Sequence, residues 1–237
     1  MREMIKMVVV LTILSCFSGG LLAYIHNGTK DRIENQVLEF VKGPTIRTIF
    51  EGATNDPITD RFIIKDGDVE RTFFVGVFDG EPRGIAFETF GKGYGGNVGL
   101  MVGIDVKDNK FLGVGVTTHA ETPGMGARAK TDPSFVTQFK DLTLEKPFKV
   151  TQDGGSINAL SGATITSRAV SAAATDAEEI YKKLQPQLIE KMKNLKKLGK
   201  RNGETTRSGI FKRIMGRGTA LPAGARAVPH AGSHKIR

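Results

Sequence analysis

Residues 7–25 form an unbroken run of 19 positions without a charged side chain, set between Lys6 and His26. Coiled as a helix at about 1.5 Å per residue, the run reaches about 28 Å, close to the ~30 Å core of a bilayer. It predicts one membrane-spanning helix. Beyond it the apolar positions become periodic: Ile33, Val37, Leu38 and Val41 recur at helical spacing. That predicts a stalk helix over 31–41, ended by Gly43-Pro44. Residues 45–68 are mixed, with a short helix near 46–50. Strand-like runs bounded by turn residues then take over. Residues 71–78 and 83–90 read as strands around the turn Asp79-Gly80-Glu81-Pro82, and 98–106 and 111–118 as strands around Lys107-Asp108-Asn109-Lys110. Residues 133–142 suit a short helix that buries Phe135, Val136 and Phe139, and 148–151 suit a further strand. Asp153-Gly154-Gly155 turns the chain toward an alanine-rich helix over 169–184. The expected fold is α+β: an antiparallel sheet with a few helices, preceded by one N-terminal transmembrane helix. It is not a βαβ nucleotide fold.

Arg2 and Lys6 precede the span, so the positive-inside rule puts residues 1–6 in the cytoplasm and the body across the membrane. Two other readings compete. A cleaved signal peptide needs a shorter apolar core and a small-x-small site, of which Ser18-Gly19-Gly20 is a weak version. Ile13-Leu14-Ser15-Cys16 resembles a lipoprotein cleavage box, but the apolar run continues through residues 21–25, as a retained helix does.

Charge changes the picture at the other end. The net charge is +9, yet residues 191–237 alone carry +12 and leave −3 for the rest. The basicity belongs to a Gly-, Pro- and Ala-rich tail expected to be disordered and solvated, not to a folded patch of the kind a nucleic-acid-binding domain needs. The organisation expected is thus 1–6 cytoplasmic end, 7–25 membrane helix, 26–69 stalk and approach, 70–186 ligand-binding domain, 187–237 tail. Cys16 is the single cysteine, which rules out an internal disulfide or a thiolate cluster. The four histidines show no metal-ligand spacing in the domain, so no metal is expected.

The chemistry concentrates in Leu160-Ser161-Gly162-Ala163-Thr164-Ile165-Thr166-Ser167-Arg168, a small-residue turn crowded with hydroxyls that opens into a helix. The first turn of a helix has unpaired N–H groups and the positive dipole end, which suit a phosphate. Gly162 and Ala163 let a phosphate approach the backbone. Arg168, one turn past Thr164, has the charge to pair with it or to face solvent. An ordinary helix start capped by Ser161 or Thr164 fits the same residues. Gly93-Tyr94-Gly95 has the look of a dinucleotide fingerprint, but a strand follows it rather than a helix. No Ser-His-Asp arrangement and no catalytic residue is found.

Ser161-Gly162-Ala163-Thr164 resembles the flavinylation motif Ser/Thr-Gly-Ala-Thr of bacterial FMN-binding domains. Those domains occur in the G subunit of the Rnf electron-transport complex and the C subunit of the sodium-pumping NADH:quinone reductase. His119-Ala120-Glu121-Thr122-Pro123-Gly124-Met125-Gly126 is similar to the family's His-x-Glu-Thr-Pro-Gly-Leu-Gly loop, with methionine in a volume-conserving exchange for leucine. Gly93-Tyr94-Gly95-Gly96-Asn97-Val98-Gly99 resembles its Gly-rich lead-in. The three stand in the family's order, and the resemblance spans about residues 70–184 plus the anchor. The run from Ser161 to Val170, preceded by Asp153-Gly154-Gly155, resembles the Rnf protein more than its quinone-reductase relative.

The resemblance implies FMN joined through its phosphate to Thr164, with Ser161, Gly162, Ala163, Thr166 and Ser167 around it. Thr166 and Ser167 are the rival acceptors. Gly95, Glu121, Thr122 and Gly124 are implied on the isoalloxazine side, and His119 as either a flavin contact or a satisfied loop histidine. It further implies a separate flavin transferase that uses FAD, the other subunits of a membrane complex, and the lipid bilayer as partners, with no nucleic acid. The complex would move electrons between ferredoxin and NAD, coupled to Na+ or proton transport, in the bacterial inner membrane. The chain is then one relay of an ion-translocating oxidoreductase and not a self-sufficient enzyme. The residues leave open a membrane-anchored sensor or scaffold that holds a phosphorylated ligand non-covalently, and the corresponding C subunit of the quinone reductase.

Overall fold

The computed structural model describes residues 2–145 and 147–201. Helix α1 (Arg2–Gln36) opens the chain. Its stretch Arg2–Lys30 is long and apolar enough to cross a membrane, and none of that stretch is buried in the body. Gly43-Pro44 does not end the helical path, contrary to the sequence expectation. The path continues through six π-helical residues, Val37–Lys42, into α2 (Gly43–Ile49). Pro44 lacks an N–H, and its ring crowds the carbonyl four residues back. The wider π turn, in which the Gly43 N–H reaches Leu38 O, accommodates both.

Five strands follow: β1 (Arg61–Asp66), β2 (Val69–Phe78), β3 (Glu81–Lys92), β4 (Asn97–Asp105) and β5 (Lys110–Val116). They pair antiparallel in the order β1-β2-β3-β4-β5, a plain meander. The four alternating segments are strands as expected. β1 and α2 both lie within 26–69, so the sheet and its cover begin ahead of residue 70. Asp79 and Gly80, both at positive φ, make the tight β2–β3 turn that matches the twist of the strands.

Each face of the sheet carries a helix. Ile46, Ile49 and Phe50 of the α2 region pack on Phe74, Ala86 and Met101. This approach is close because the sheet is glycine-paved there. A β-carbon at Gly84 would fall 2.6 Å from the Phe50 ring, and one at Gly103 would fall 2.1 Å from Ile49. The larger core lies on the other face. Phe62, Phe73 and Phe87 stack across β1, β2 and β3, with ring centroids 5.7 and 5.0 Å apart. Phe111, Phe135, Phe139 and Phe148 fill the β5 side. Pro133–Val136 (α4, after the short α3, Arg128–Thr131) and the turn Thr137–Phe139 form the helix expected over 133–142. The strand expected over 148–151 is absent. One parallel bridge, Val150 to Ile157, precedes a turn of 3-10 helix at Thr151–Asp153.

Helix α5 (Thr164–Arg201) covers this core. Ala169, Ala173, Ala174 and Ala177 present a small-residue face that seats the helix directly on β3. A β-carbon at Gly91 would lie 1.9 Å from the Ala169 carbonyl oxygen, and buried Thr89 donates to Ala173 O at 2.9 Å. The helix carries on past Leu184, the expected end, because Leu188 and Met192 are also buried. Residues 187–201 are therefore helix rather than tail; the rest of the expected tail lies outside the described residues. Two ties pin α5 to strand turns. Lys183 reaches Asp66 Oδ1 at 2.6 Å, and Tyr181 donates to Asn109 Oδ1 at 2.9 Å.

Replacing Gly91 with alanine pushes α5 off β3 and is expected to cost about 3 kcal/mol, since helix backbone cannot yield as a side-chain end can; chemical unfolding of the domain measures this. The Lys183 and Arg71 hydrogen bonds hold the Asp66 carboxyl below its ordinary value. A carboxylate depressed in the folded state stabilises fully above its unfolded pKa, and that contribution is lost as pH falls through the folded one. The melting temperature is thus expected to decline below about pH 4, and less steeply in Asp66→Asn.

Candidate flavin site at the head of α5

The turn before α5 is shaped by Gly162, at φ +76°, and closed by the Ala163 N–H on Leu160 O at 3.0 Å. Four hydroxyls crowd the next residues, and they are not equivalent. Ser167 is fully buried: its oxygen accepts the Leu160 N–H at 3.0 Å and donates to Ala163 O at 3.0 Å. Thr166 is 2% exposed and donates to Glu121 Oε2 at 2.5 Å. Ser161 is exposed and Thr164 half-buried, and neither hydroxyl has a hydrogen-bond partner among the described residues. Thr164 alone of these two stands in the first helical turn. There the N–H groups of Thr164, Ile165 and Thr166 have no intrahelical acceptor and find no other among the described residues.

Glu121 joins the three motifs. It is 6% exposed, and its Oε1 accepts the Gly95 N–H at 2.8 Å while Oε2 accepts Thr166. A carboxylate buried to this degree is stable only when its oxygens are satisfied in this way. The glycines around it make the room. A β-carbon at Gly93 would fall 2.5 Å from Glu121 Oε1, one at Gly126 2.6 Å from Oε2, and one at Gly95 2.1 Å from Ala120 O. The Cβ sides of Gly93 and Gly95 thus face Glu121 and Ala120, and the missing side chains let the two loops close on the carboxylate. His119 Nδ1 accepts the Glu121 N–H at 3.3 Å. Thr122 is exposed, and its carbonyl accepts the Met125 and Ala127 N–H groups. Gly124 turns at φ +75° into open space. Met125 and Ile165 are about half exposed, and the Met125 methyl lies 3.6 Å from where a β-carbon on Gly162 would stand.

Arg168 does not face the hydroxyl turn as a free cation. It grips Asp153 with both ends, Nε to Oδ2 at 2.7 Å and Nη2 to Oδ1 at 2.8 Å, and holds the Asp153 carboxyl below its usual range. A groove of about 440 Å³ starts there and follows α5 past Ser171 and Thr175, with Phe148 and Val150 as its far wall. Sequence reasoning named Glu121 and Thr166 but not their contact, and Asp153 but not its partner. Both are long-range pairs, 45 and 15 residues apart, and local pattern carries no signal for them.

Glu121→Gln turns an amide N–H toward one of two donors. It is expected to cost about 2 kcal/mol of stability and to release the Gly95 amide to hydrogen exchange. Unfolding curves and exchange rates at that amide check both.

The FMN-binding domain family matches residues 93–179, a span that takes in all three motifs. The chain is 31% identical over 170 residues to the G subunit of the ion-translocating oxidoreductase complex of Methanosarcina acetivorans, covering 71% of this chain and 89% of that protein. It is 31% identical over 190 residues to the protein of the same name from Vibrio cholerae, covering 76% and 90%. A crystal structure of the C subunit of the Na(+)-translocating NADH-quinone reductase from Parabacteroides distasonis superposes with a TM-score of 0.48 at 20% identity, over 63% of this chain and 92% of that one. By the identity and coverage of its relatives, the chain belongs to the family of G subunits of the ion-translocating oxidoreductase complex.

Proposed function

We propose that this chain is the electron-relay subunit of a membrane-bound, ion-translocating ferredoxin:NAD oxidoreductase complex, with FMN carried by a phosphoester to Thr164. The observation that carries the reading is the state of the hydroxyls. Thr166 and Ser167 are buried and committed, whereas Thr164 is accessible, unpartnered and set among free N–H groups. Those N–H groups and the helix dipole hold a phosphate there. Ser161, Gly162 and Ala163 form the turn that leaves the approach open. Met125 and Ile165 offer apolar surface beside the tether, and exposed Thr122 and Gly124 of the Glu121 loop take the isoalloxazine side. Bound FMN supplies a carrier of one or two electrons, and the chain's part is to fix and tune it.

No carboxylate or imidazole hydrogen-bonds Thr164 among the described residues. A separate flavin transferase supplies the base that removes its proton and moves FMN from FAD to the Thr164 oxygen, with AMP leaving. The other partners are the neighbouring subunits of the complex and the bilayer. Arg2–Lys30 is the anchor, in the bacterial inner membrane, with Arg2 and Lys6 keeping the N-terminus cytoplasmic and the body on the periplasmic side.

The test is co-expression with a flavin transferase, followed by denaturing electrophoresis and mass measurement. Thr164→Ala is expected to lose all band fluorescence and the added FMN mass, while Ser161→Ala and Thr166→Ser keep both. Covalent flavin persisting in Thr164→Ala would sink the assignment.

A further inference from the structure

The base of the membrane helix is locked to the sheet by a charged pair far from the hydroxyl turn. Lys42, the last π-helical residue, places its Nζ 2.6 Å from Glu88 Oε2 on β3. The two side chains are only 26% and 13% exposed, so the pair works in a medium that screens it poorly. The other oxygen of Glu88 accepts the Thr117 hydroxyl, and Lys130 donates to Thr117 O at 2.7 Å. Gly99 keeps the space beneath open: a β-carbon there would lie within 3.1 Å of Thr117, Thr118 and Glu88. Around the pair, Thr45 seats over Gly115 and Ile49 over Gly103. Leu38 joins the apolar cluster of Ile46, Phe50 and Phe74. No loop separates α1 from this clamp, since the helical path is continuous from Arg2 to Ile49. The clamp also ends two residues short of His119, where the loop that contains Glu121 begins.

We infer that Lys42 and Glu88 are positioning residues that fix the attitude of the flavin domain on its membrane helix. The path from His26 to Lys42 is about 25 Å long as helix, and the clamp turns that length into a set height for the head of α5. Reach toward a membrane-embedded redox partner then comes from a rigid mast and not from a swinging linker. A long exposed helix joined to a domain through apolar contacts alone can roll on them. A buried ion pair with a hydroxyl on its second oxygen sets one angle. The inference rests on the membrane-anchor reading of α1, but not on the covalent bond at Thr164.

The full-length chain offers its own reporter. Cys16, the single cysteine, is exposed on α1, and Asp68 is exposed at the far β1–β2 turn. Nitroxides at Cys16 and Asp68→Cys, in lipid nanodiscs, give the distance distribution between membrane helix and domain by double electron–electron resonance. The parent is expected to show one narrow distribution. Lys42→Met is expected to broaden it roughly twofold, as a freed hinge does, and Lys42→Arg to restore it. Glu88→Gln, which keeps its shape and can still accept from Thr117, is expected to broaden it as well and serves if Lys42→Met does not fold. Covalent flavin, read on the same samples, is expected to stay unchanged, because it does not depend on the angle of the mast, whereas the domain melting temperature is expected to fall in both variants, which break a mostly buried ion pair. Distributions in Lys42→Met and Glu88→Gln as narrow as the parent's, at the same mean, overturn the inference. Loss of covalent flavin from the parent would count against Thr164 alone.

Discussion

The seating of α5 on β3 leaves no room for a β-carbon at Gly91, and most of the molecule follows from that closeness. A helix that rests on a strand at backbone distance needs alanines on its lower face, and α5 supplies four of them. It also needs a hydrogen-bond partner where strand side chains meet helix carbonyls, and Thr89 provides it. With the first turns of α5 held this near the end of β3, the glycine loop after β3 and the loop after β5 both arrive beside the head of the helix. Glu121 can then bridge them with a single carboxylate. The free hydroxyl of Thr164 is what remains on the outer side of that junction.

The opposite face of the sheet is governed by the same economy of atoms. Gly84, Gly103 and Gly115 clear a floor on which Phe50, Ile49 and Thr45 lie. Neither helix could be moved outward by one methyl group without opening a void, and voids in a close-packed interior weaken the structure on both sides. The meander between them is thus a thin partition, with the membrane-linked helix on one side and the helix that bears the site on the other.

Strands β2 to β5 were legible in the sequence because each is a run rich in Phe, Val, Ile or Leu bounded by Gly or Asp/Asn turn residues, as at Asp79-Gly80. β1 was not: Arg61-Phe62-Ile63-Ile64-Lys65-Asp66 is short, and its three consecutive apolar residues suit a helix segment equally. Gly43-Pro44 misled in the usual direction. The pair reads as a stop unless a π turn widens the helix for it, as it does here where the Gly43 N–H reaches Leu38 O. The far half of α5 was hidden by its basic composition, although Leu188 and Met192 keep the helical spacing. At the candidate site, the order of the three motifs was legible in the sequence, and the FMN-binding domain family matches the span that holds them. Which hydroxyls are free could not be read there, because Thr166 is occupied by a residue 45 positions away.

The order of the elements along the chain has a consequence for biosynthesis. Every strand is made before α5, and the apolar face of Phe73, Phe87, Leu100 and Phe111 has no helical lid until residues beyond 164 have been added. The hairpins form from near neighbours and can pair early, but the sheet they build stays half-covered until the last element docks. Thr164 opens that element. Its hydroxyl comes to stand clear of Thr166 and Ser167 only when Glu121 and Leu160 have claimed the other two, so a modifying enzyme that requires this arrangement meets it only in a chain whose body is finished.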